Sequence, residues 1–145
     1  MRSVIELEIN APRERVAELF DNPRMFPRWM DEVERVEPVS SSSRVPLGSE
    51  FRVVPKEGRR VFRGRFLRRE PPYRTRLLLD APTVRVDVRG TFVKLSEERT
   101  RLISEEVVGF KGLFGRLLGL LGRRAIRRAH RRHMESFKRL AESPA

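Results

Sequence analysis

The sequence has no cysteine and no glutamine, and only two asparagines, two histidines, one tryptophan and one tyrosine among 145 residues. Without cysteine there is no disulfide framework, no thiolate zinc site and no cysteine nucleophile. The two histidines, His130 and His133, lie three apart. A metal held there would need carboxylates, and none gather around them, so neither a metal nor a cofactor is expected. Long apolar runs are missing too. The N-terminal MRSVIELEIN lacks the apolar core of a signal peptide. The greasiest stretch, Leu113 to Leu121, is too short and too rich in glycine to cross a bilayer, which takes about 20 residues. A soluble, cytoplasmic protein is expected.

What the chain has in excess is positive charge. The net charge is +12, and the basic residues are overwhelmingly arginine. Together with the scarcity of amides, this composition suits a thermophile or a GC-rich genome. A genome-wide arginine bias makes any surface basic, which weakens charge as a functional clue. Nucleic acid or anionic lipid stays open as the alternative. The length fits one domain, 1–145, with a core that needs no staples.

Ser3 to Ile9 alternates, with Ile5, Leu7 and Ile9 on one face and Glu6 and Glu8 on the other, as in a half-buried strand. Asn10-Ala11-Pro12 ends it and opens a short helix, Arg13 to Phe20, burying Val16, Leu19 and Phe20. Asp21-Asn22-Pro23 opens a second short helix, Arg24 to Trp29, made less regular by Pro27. Val33, Val36 and Val39 sit among charges and lead into a loop or hairpin region at Ser40 to Ser43. Glu50–Pro55, Arg60–Arg69, Tyr73–Asp80, Thr83–Leu95 and Thr100–Phe110 read as strands. Short turns at Lys56-Glu57-Gly58, Glu70-Pro71-Pro72, Ala81-Pro82 and Ser96-Glu97-Glu98 divide them. Such connections imply antiparallel hairpins. Alternation along these strands sets an aliphatic and aromatic face against a lattice of charges, so one side of the sheet needs a cover.

Gly112 to Ala141 supplies it. At about 100° per residue, Phe114, Leu118, Leu121, Gly122, Ala125, Ile126, Ala129, His133, Phe137 and Leu140 share a face, and the arginines fall largely opposite. The expected fold is therefore α+β: a curved antiparallel sheet of six to seven strands wrapped around a long C-terminal helix, with two short helices after the first strand.

This layout, with Ile9-Asn10-Ala11-Pro12, Asp21-Asn22-Pro23, Phe26-Pro27-Arg28-Trp29-Met30 and Arg69-Glu70-Pro71-Pro72-Tyr73, resembles the START-related, polyketide cyclase-like superfamily with its birch-pollen-allergen-like helix-grip fold. The Phe26 to Met30 segment is most similar to the oligoketide cyclase/lipid transport and coenzyme Q-binding branch. The resemblance implies a cavity between sheet and C-terminal helix that holds a lipid, isoprenoid quinone or polyketide-like compound. The residues expected to line it come from three places. The strands give Phe51, Phe62, Phe66, Leu77, Leu79, Val86, Val88, Phe92, Glu106 and Phe110. The second short helix gives Phe26 and Trp29, and the long helix gives Phe114, Leu118, Gly122 and His133. The glycines Gly115, Gly119 and Gly122 on the long helix either leave room for a ligand or let the helix approach the sheet.

Three further readings stay beside the binding one. A cyclase or dehydratase would use the same cavity, with Glu106, His133 and Tyr73 as the acid–base candidates, although no catalytic residue is assigned. Leu113, Leu117 and Leu120, rimmed by Arg116, Arg123 and Arg124, form a greasy turn suited to an anionic membrane surface, unless a neighbouring element or a second copy covers it. The stripe from Arg123 to Arg132 permits phosphate contact by RNA or the ribosome, but has no aromatic stacking platform.

Overall fold

A computed structural model describes residues 1–39, 50–56 and 61–144; the expected Ser40 to Ser43 loop and the Glu57-Gly58 turn lie outside the described residues. Strand β1 is Arg2–Ile9. Helix α1, Arg13–Phe20, follows Pro12, whose extended backbone sets the helix start. A 3₁₀ turn, Pro23–Met25, is capped by Asn22, whose Oδ1 accepts from the Arg24 N–H at 3.1 Å. Helix α2 is the single turn Phe26–Trp29. The strands β2 (Val33–Pro38), β3 (Glu50–Pro55), β4 (Phe62–Glu70), β5 (Arg74–Asp80), β6 (Val84–Ser96) and β7 (Arg99–Phe110) come next, and helix α3, Gly112–Glu142, ends the chain.

The strands form one antiparallel sheet in the order β1-β7-β6-β5-β4-β3-β2. This is the helix-grip arrangement expected. The valines at 33 and 36, read as a lead-in to a loop, belong to the seventh strand, β2, which pairs with β3 at the sheet edge.

On the outer face, charges pair across strands. Arg76 donates two hydrogen bonds to Asp87, at 3.1 and 2.7 Å, while Arg89 bridges Asp87 and Glu105, and Arg2 reaches Glu105. Each exposed pair is worth little alone, but the ladder sets cross-strand register. The inner face is filled by rings. Phe51 lies over Gly64 and Phe20 over Gly90, each so close that a Cβ at the glycine would overlap the ring. Phe20, Trp29 and Phe137 meet mutually at centroid distances of 5.2–5.6 Å.

Two of the motifs that carried the resemblance meet in space. Asp21, buried after α1, accepts from Arg69 Nε at 2.9 Å and from Thr75 Oγ1 at 2.7 Å. A buried carboxylate needs such partners. This pins the corner after α1 to the β4–β5 turn, where the Pro71–Pro72 peptide is cis.

The buried stripe of α3 differs from the one read off the sequence. His130, Met134, Phe137 and Ala141 are 0–1 % exposed, whereas Ala125 is exposed and His133 and Leu140 are only partly buried. Apolar periodicity passes over His130 because it is polar. Its burial rests on hydrogen bonds from the sheet, which the periodicity does not register. The end of α3 is held to the β1–α1 corner: Arg15 Nε donates to Ala141 O at 2.9 Å, and the Asn10 N–H donates to Glu142 at 2.7 Å.

Phe137→Ala is expected to destabilise the protein by about 3–5 kcal/mol in urea unfolding, since it opens a cavity where α1, α2 and α3 meet. Arg128→Ala, on the exposed side of α3, should stay within about 0.5 kcal/mol of the parent.

Candidate functional site

The residues expected to line a cavity separate into two groups. Phe26, Trp29, Phe51, Phe66, Leu77, Val88 and Phe92 are at most 6 % exposed. Their rings meet one another, as Phe26 meets Trp29 and Phe51, and Phe51 meets Phe66. Phe62, Leu79, Val86, Glu106, Phe110, Gly122 and His133 also occupy inward positions by strand or helix parity, yet keep part of their surface open. The side chains of Phe114 and Leu118 are outside the description.

Register locates the boundary. Leu77, Val88, Glu106 and Ser3 form one row across β5, β6, β7 and β1. The next row toward the start of α3 is Leu79, Val86 and Val108. Beyond it stand Val84 and Phe110. On β5 to β7 the partly open residues Leu79, Val86 and Phe110 lie beyond the Glu106 row, whereas Phe51, in the same row as Leu79 through Gly64, is fully buried. The glycines of α3 divide in the same way. A Cβ on Gly119 would lie 2.7 Å from the Phe110 ring, so that glycine permits close approach. Gly115 also meets Phe110 and the Thr83 carbonyl, whereas Gly122 has only Ile126 Cδ1 near, at 3.9 Å.

A polar cluster sits at the boundary. His130 Nδ1 is 2.8 Å from Ser3 Oγ and its Nε2 is 3.0 Å from Ser104 Oγ. Burial, reinforced by His133, Arg127 and Arg131, lowers its pKa to about 4, so the ring is neutral. A neutral imidazole has one donor and one acceptor, so one serine hydroxyl accepts from it and the other donates to it. Glu106 Oε1 lies 3.9 Å from His130 Nε2, and the carboxyl has no hydrogen-bond partner among the described residues. Burial pushes its pKa up to about 7, opposed by His133 and assisted by Glu32. Across from it, His133 Nε2 is 2.5 Å from Glu32 Oε1. His133 holds the Glu32 carboxyl below the usual carboxylate range despite its partial burial.

The inner histidine of the sequence reading was His133; the fully buried one is His130, with His133 at the rim beside Glu32. Spacing held the clue, since positions 130, 134, 137 and 141 follow at steps of four and three. Ser3 and Ser104 went unnoticed because small polar residues at inward positions give no periodic signal. Tyr73 stands just before β5 but is 56 % exposed, with the Arg13 guanidinium 5.0 Å from its ring centroid. It lies outside the cluster. A carboxyl with a pKa near neutrality, set in an apolar wall, can exchange a proton with a bound molecule or donate a hydrogen bond to it.

A groove of about 770 Å³ opens between the first half of α3 and the β1–β7 end of the sheet. It is lined by Met1, Val108, Gly109, Phe110, Arg116, Gly119 and Arg123. Outside it, Leu113 is 88 % and Leu117 57 % exposed, and Arg124 is exposed beside them. The side chain of Leu120 is outside the description.

Residues 2–142 match the family described as polyketide cyclase/dehydrase and lipid transport. No curated protein has a significant sequence match. Solved structures share the fold at low identity. A protein from Thermus thermophilus superposes with a TM-score of 0.73 at 21 % identity, covering 99 % of this chain and 100 % of the other. A START superfamily protein from Mycobacterium smegmatis gives 0.75 at 15 %, covering 97 % of each chain. The aromatase/cyclase Zhui from Streptomyces sp. R1128 gives 0.67 at 16 %, covering 97 % of this chain and 95 % of that one.

The two shifted groups act on stability in opposite directions. Glu106 has its folded pKa raised from 4.5 to about 7, so its contribution is fully present below pH 4.5 and is lost as pH rises through 7. His130 has its folded pKa lowered from 6.5 to about 4, so its contribution is present above pH 6.5 and is lost as pH falls through 4. Glu106→Gln should therefore gain about 2 kcal/mol on the parent between pH 5 and pH 8 in urea unfolding. A difference between the two proteins that does not change with pH would show that Glu106 does not titrate in this window.

Proposed function

The chain belongs to the polyketide cyclase/dehydrase and lipid transport family, and from that premise we propose that it binds a hydrophobic small molecule, a lipid, isoprenoid quinone or polyketide-like compound, between the sheet and the first half of α3. The observation that carries the reading is the set of inward positions left partly open: Leu79, Val86, Glu106 and Phe110 on the sheet and Gly122 on the helix. A chain that can bury Phe51, Phe137 and Leu102 completely has the means to fill this region as well. Apolar walls with one convergent polar group are what a ligand site requires.

A second reading rests on Glu106. Its pKa of about 7 suits a general acid or base, as a cyclase or dehydratase would use on an enolisable substrate in the same space. The basic stripe from Arg123 to Arg132 has no aromatic residue to stack a base, which favours the small-molecule reading over RNA contact. No helix among the described residues is long and apolar enough to cross a membrane. Surface contact is a different matter. The exposed Leu113 and Leu117, beside Arg124, support docking on an anionic bilayer for loading or unloading.

Native mass spectrometry and organic extraction of the purified protein should reveal a bound apolar compound. Val86→Trp should abolish its retention while the protein still unfolds cooperatively. An empty parent protein that also takes up no apolar probe would end the binding reading. In flotation with vesicles containing phosphatidylglycerol, the protein should rise with the lipid, and Leu113→Ser with Leu117→Ser should leave it at the bottom; equal flotation of both would remove the docking surface. Glu106→Gln should leave binding within about threefold, since one neutral hydrogen bond is at stake, and should stop any turnover.

A further inference from the structure

We propose that the groove between the first half of α3 and the β1–β7 end of the sheet is the seat of an anionic head group, a carboxylate or phosphate carried on an apolar chain, held by Arg116 and Arg123. The inference rests on the proposed binding function and names the class of its ligand.

The first observation is where these arginines stand. The inward stripe of α3 runs through His130, Met134, Phe137 and Ala141, all buried. Two and four helical turns before His130, on the same face, are Arg123 and Arg116. Both side chains are exposed, unlike the buried residues that continue the stripe. Here the side chains flank open space of about 770 Å³, inside the ordinary range for small-molecule sites.

The second observation is that they have no carboxylate. On the sheet, Arg2, Arg76, Arg85, Arg89, Arg99 and Arg101 each face an aspartate or glutamate. Neither Arg116 nor Arg123 has an ion-pair partner among the described residues, and the groove lining contains no acidic side chain. The two residues are seven apart, about 10 Å along the helix axis, with Gly119 between them. That glycine brings α3 onto the Phe110 ring, so the wall between the two charges is backbone and an aromatic face.

The third observation is continuity with the interior. Val108 and Phe110 belong to the groove and share the inward face of β7 with Glu106. An alkyl or polyprenyl chain lying in the groove meets Val108 and Phe110, and Val108 pairs across the sheet with Val86 and, beyond it, Leu79. The head group meets guanidinium donors, which suit a carboxylate or phosphate geometrically.

Titration calorimetry with dodecanoate, dodecyl phosphate, dodecanol and inorganic phosphate, below micellar concentrations, tests this. The parent protein should bind the two anionic amphiphiles about tenfold or more tightly than dodecanol. Arg116→Ala with Arg123→Ala should lose that preference and keep its dodecanol affinity. Arg128→Ala with Arg139→Ala removes the same net charge from the exposed side of α3 and should keep the preference. Equal binding of all three amphiphiles, or equal loss in both double variants, overturns the head-group site and leaves the binding function standing. Inorganic phosphate binding as tightly as dodecyl phosphate overturns the amphiphile and leaves a plain anion site. No binding of any amphiphile removes the binding function and the head-group site together.

Discussion

Everything in the fold depends on how the second half of α3 is fixed to the sheet. His130 is buried between Ser3 and Ser104 with both ring nitrogens in hydrogen bonds. Phe137, about two turns later, is clasped by Phe20 and Trp29. Burying a polar ring is costly unless every polar atom is satisfied, so His130 admits essentially one azimuth of the helix. The aromatic cluster supplies the bulk of the apolar burial, and the imidazole supplies the orientation. With the far end fixed, the first half of α3 is carried over the remainder of the sheet, where it touches down at Phe110 through Gly115 and Gly119. The space between these two anchor points is where inward side chains stay partly open.

Much of this was legible in the sequence, for identifiable reasons. Alternation along β4 to β7 is strong because one sheet face is water-exposed and charged, so strand positions and inward residues followed directly. Phe51, Phe66 and Phe92 were placed on the correct face. Whether they fill a core or line a void was not legible, because both need the same residue types. The structure decides it through neighbours: Gly64 and Gly90 receive the rings of Phe51 and Phe20, contacts between residues distant in sequence. The azimuth of α3 was misread for a related reason. A hydropathy pattern scores His130 as polar and Ala125 as apolar, while the fold buries the first and exposes the second. Ser3 and Ser104, which make His130 buriable, are far from it in sequence and individually ordinary.

Charge is the other property whose meaning changes between sequence and structure. As a sum, +12 says little, because an arginine-rich composition raises it everywhere. As a distribution it becomes informative. Several arginines of the sheet, Arg76, Arg89 and Arg101 among them, are neutralised locally by a cross-strand ladder through Asp87, Glu105 and Glu8. Those at the mouth beside Phe110 are not.

The ionisable groups around the cavity differ in kind. His130 is locked neutral by burial and by two hydroxyls, which makes it a structural fixture with little capacity to move a proton. Glu106, one residue row from open space, has no such lock, and burial, with Glu32 assisting, has carried its pKa to about 7. On the proposed binding function, its charge therefore depends on what lies against it. An apolar occupant deepens the desolvation and favours the protonated acid, which can then donate to a carbonyl or hydroxyl on the ligand. Water in place of the ligand favours the carboxylate. Binding and protonation are linked through this one side chain, and the same linkage serves a carrier that recognises a carbonyl and an enzyme that polarises one. What separates the two is whether the ligand's reactive atom comes within hydrogen-bond reach of Glu106.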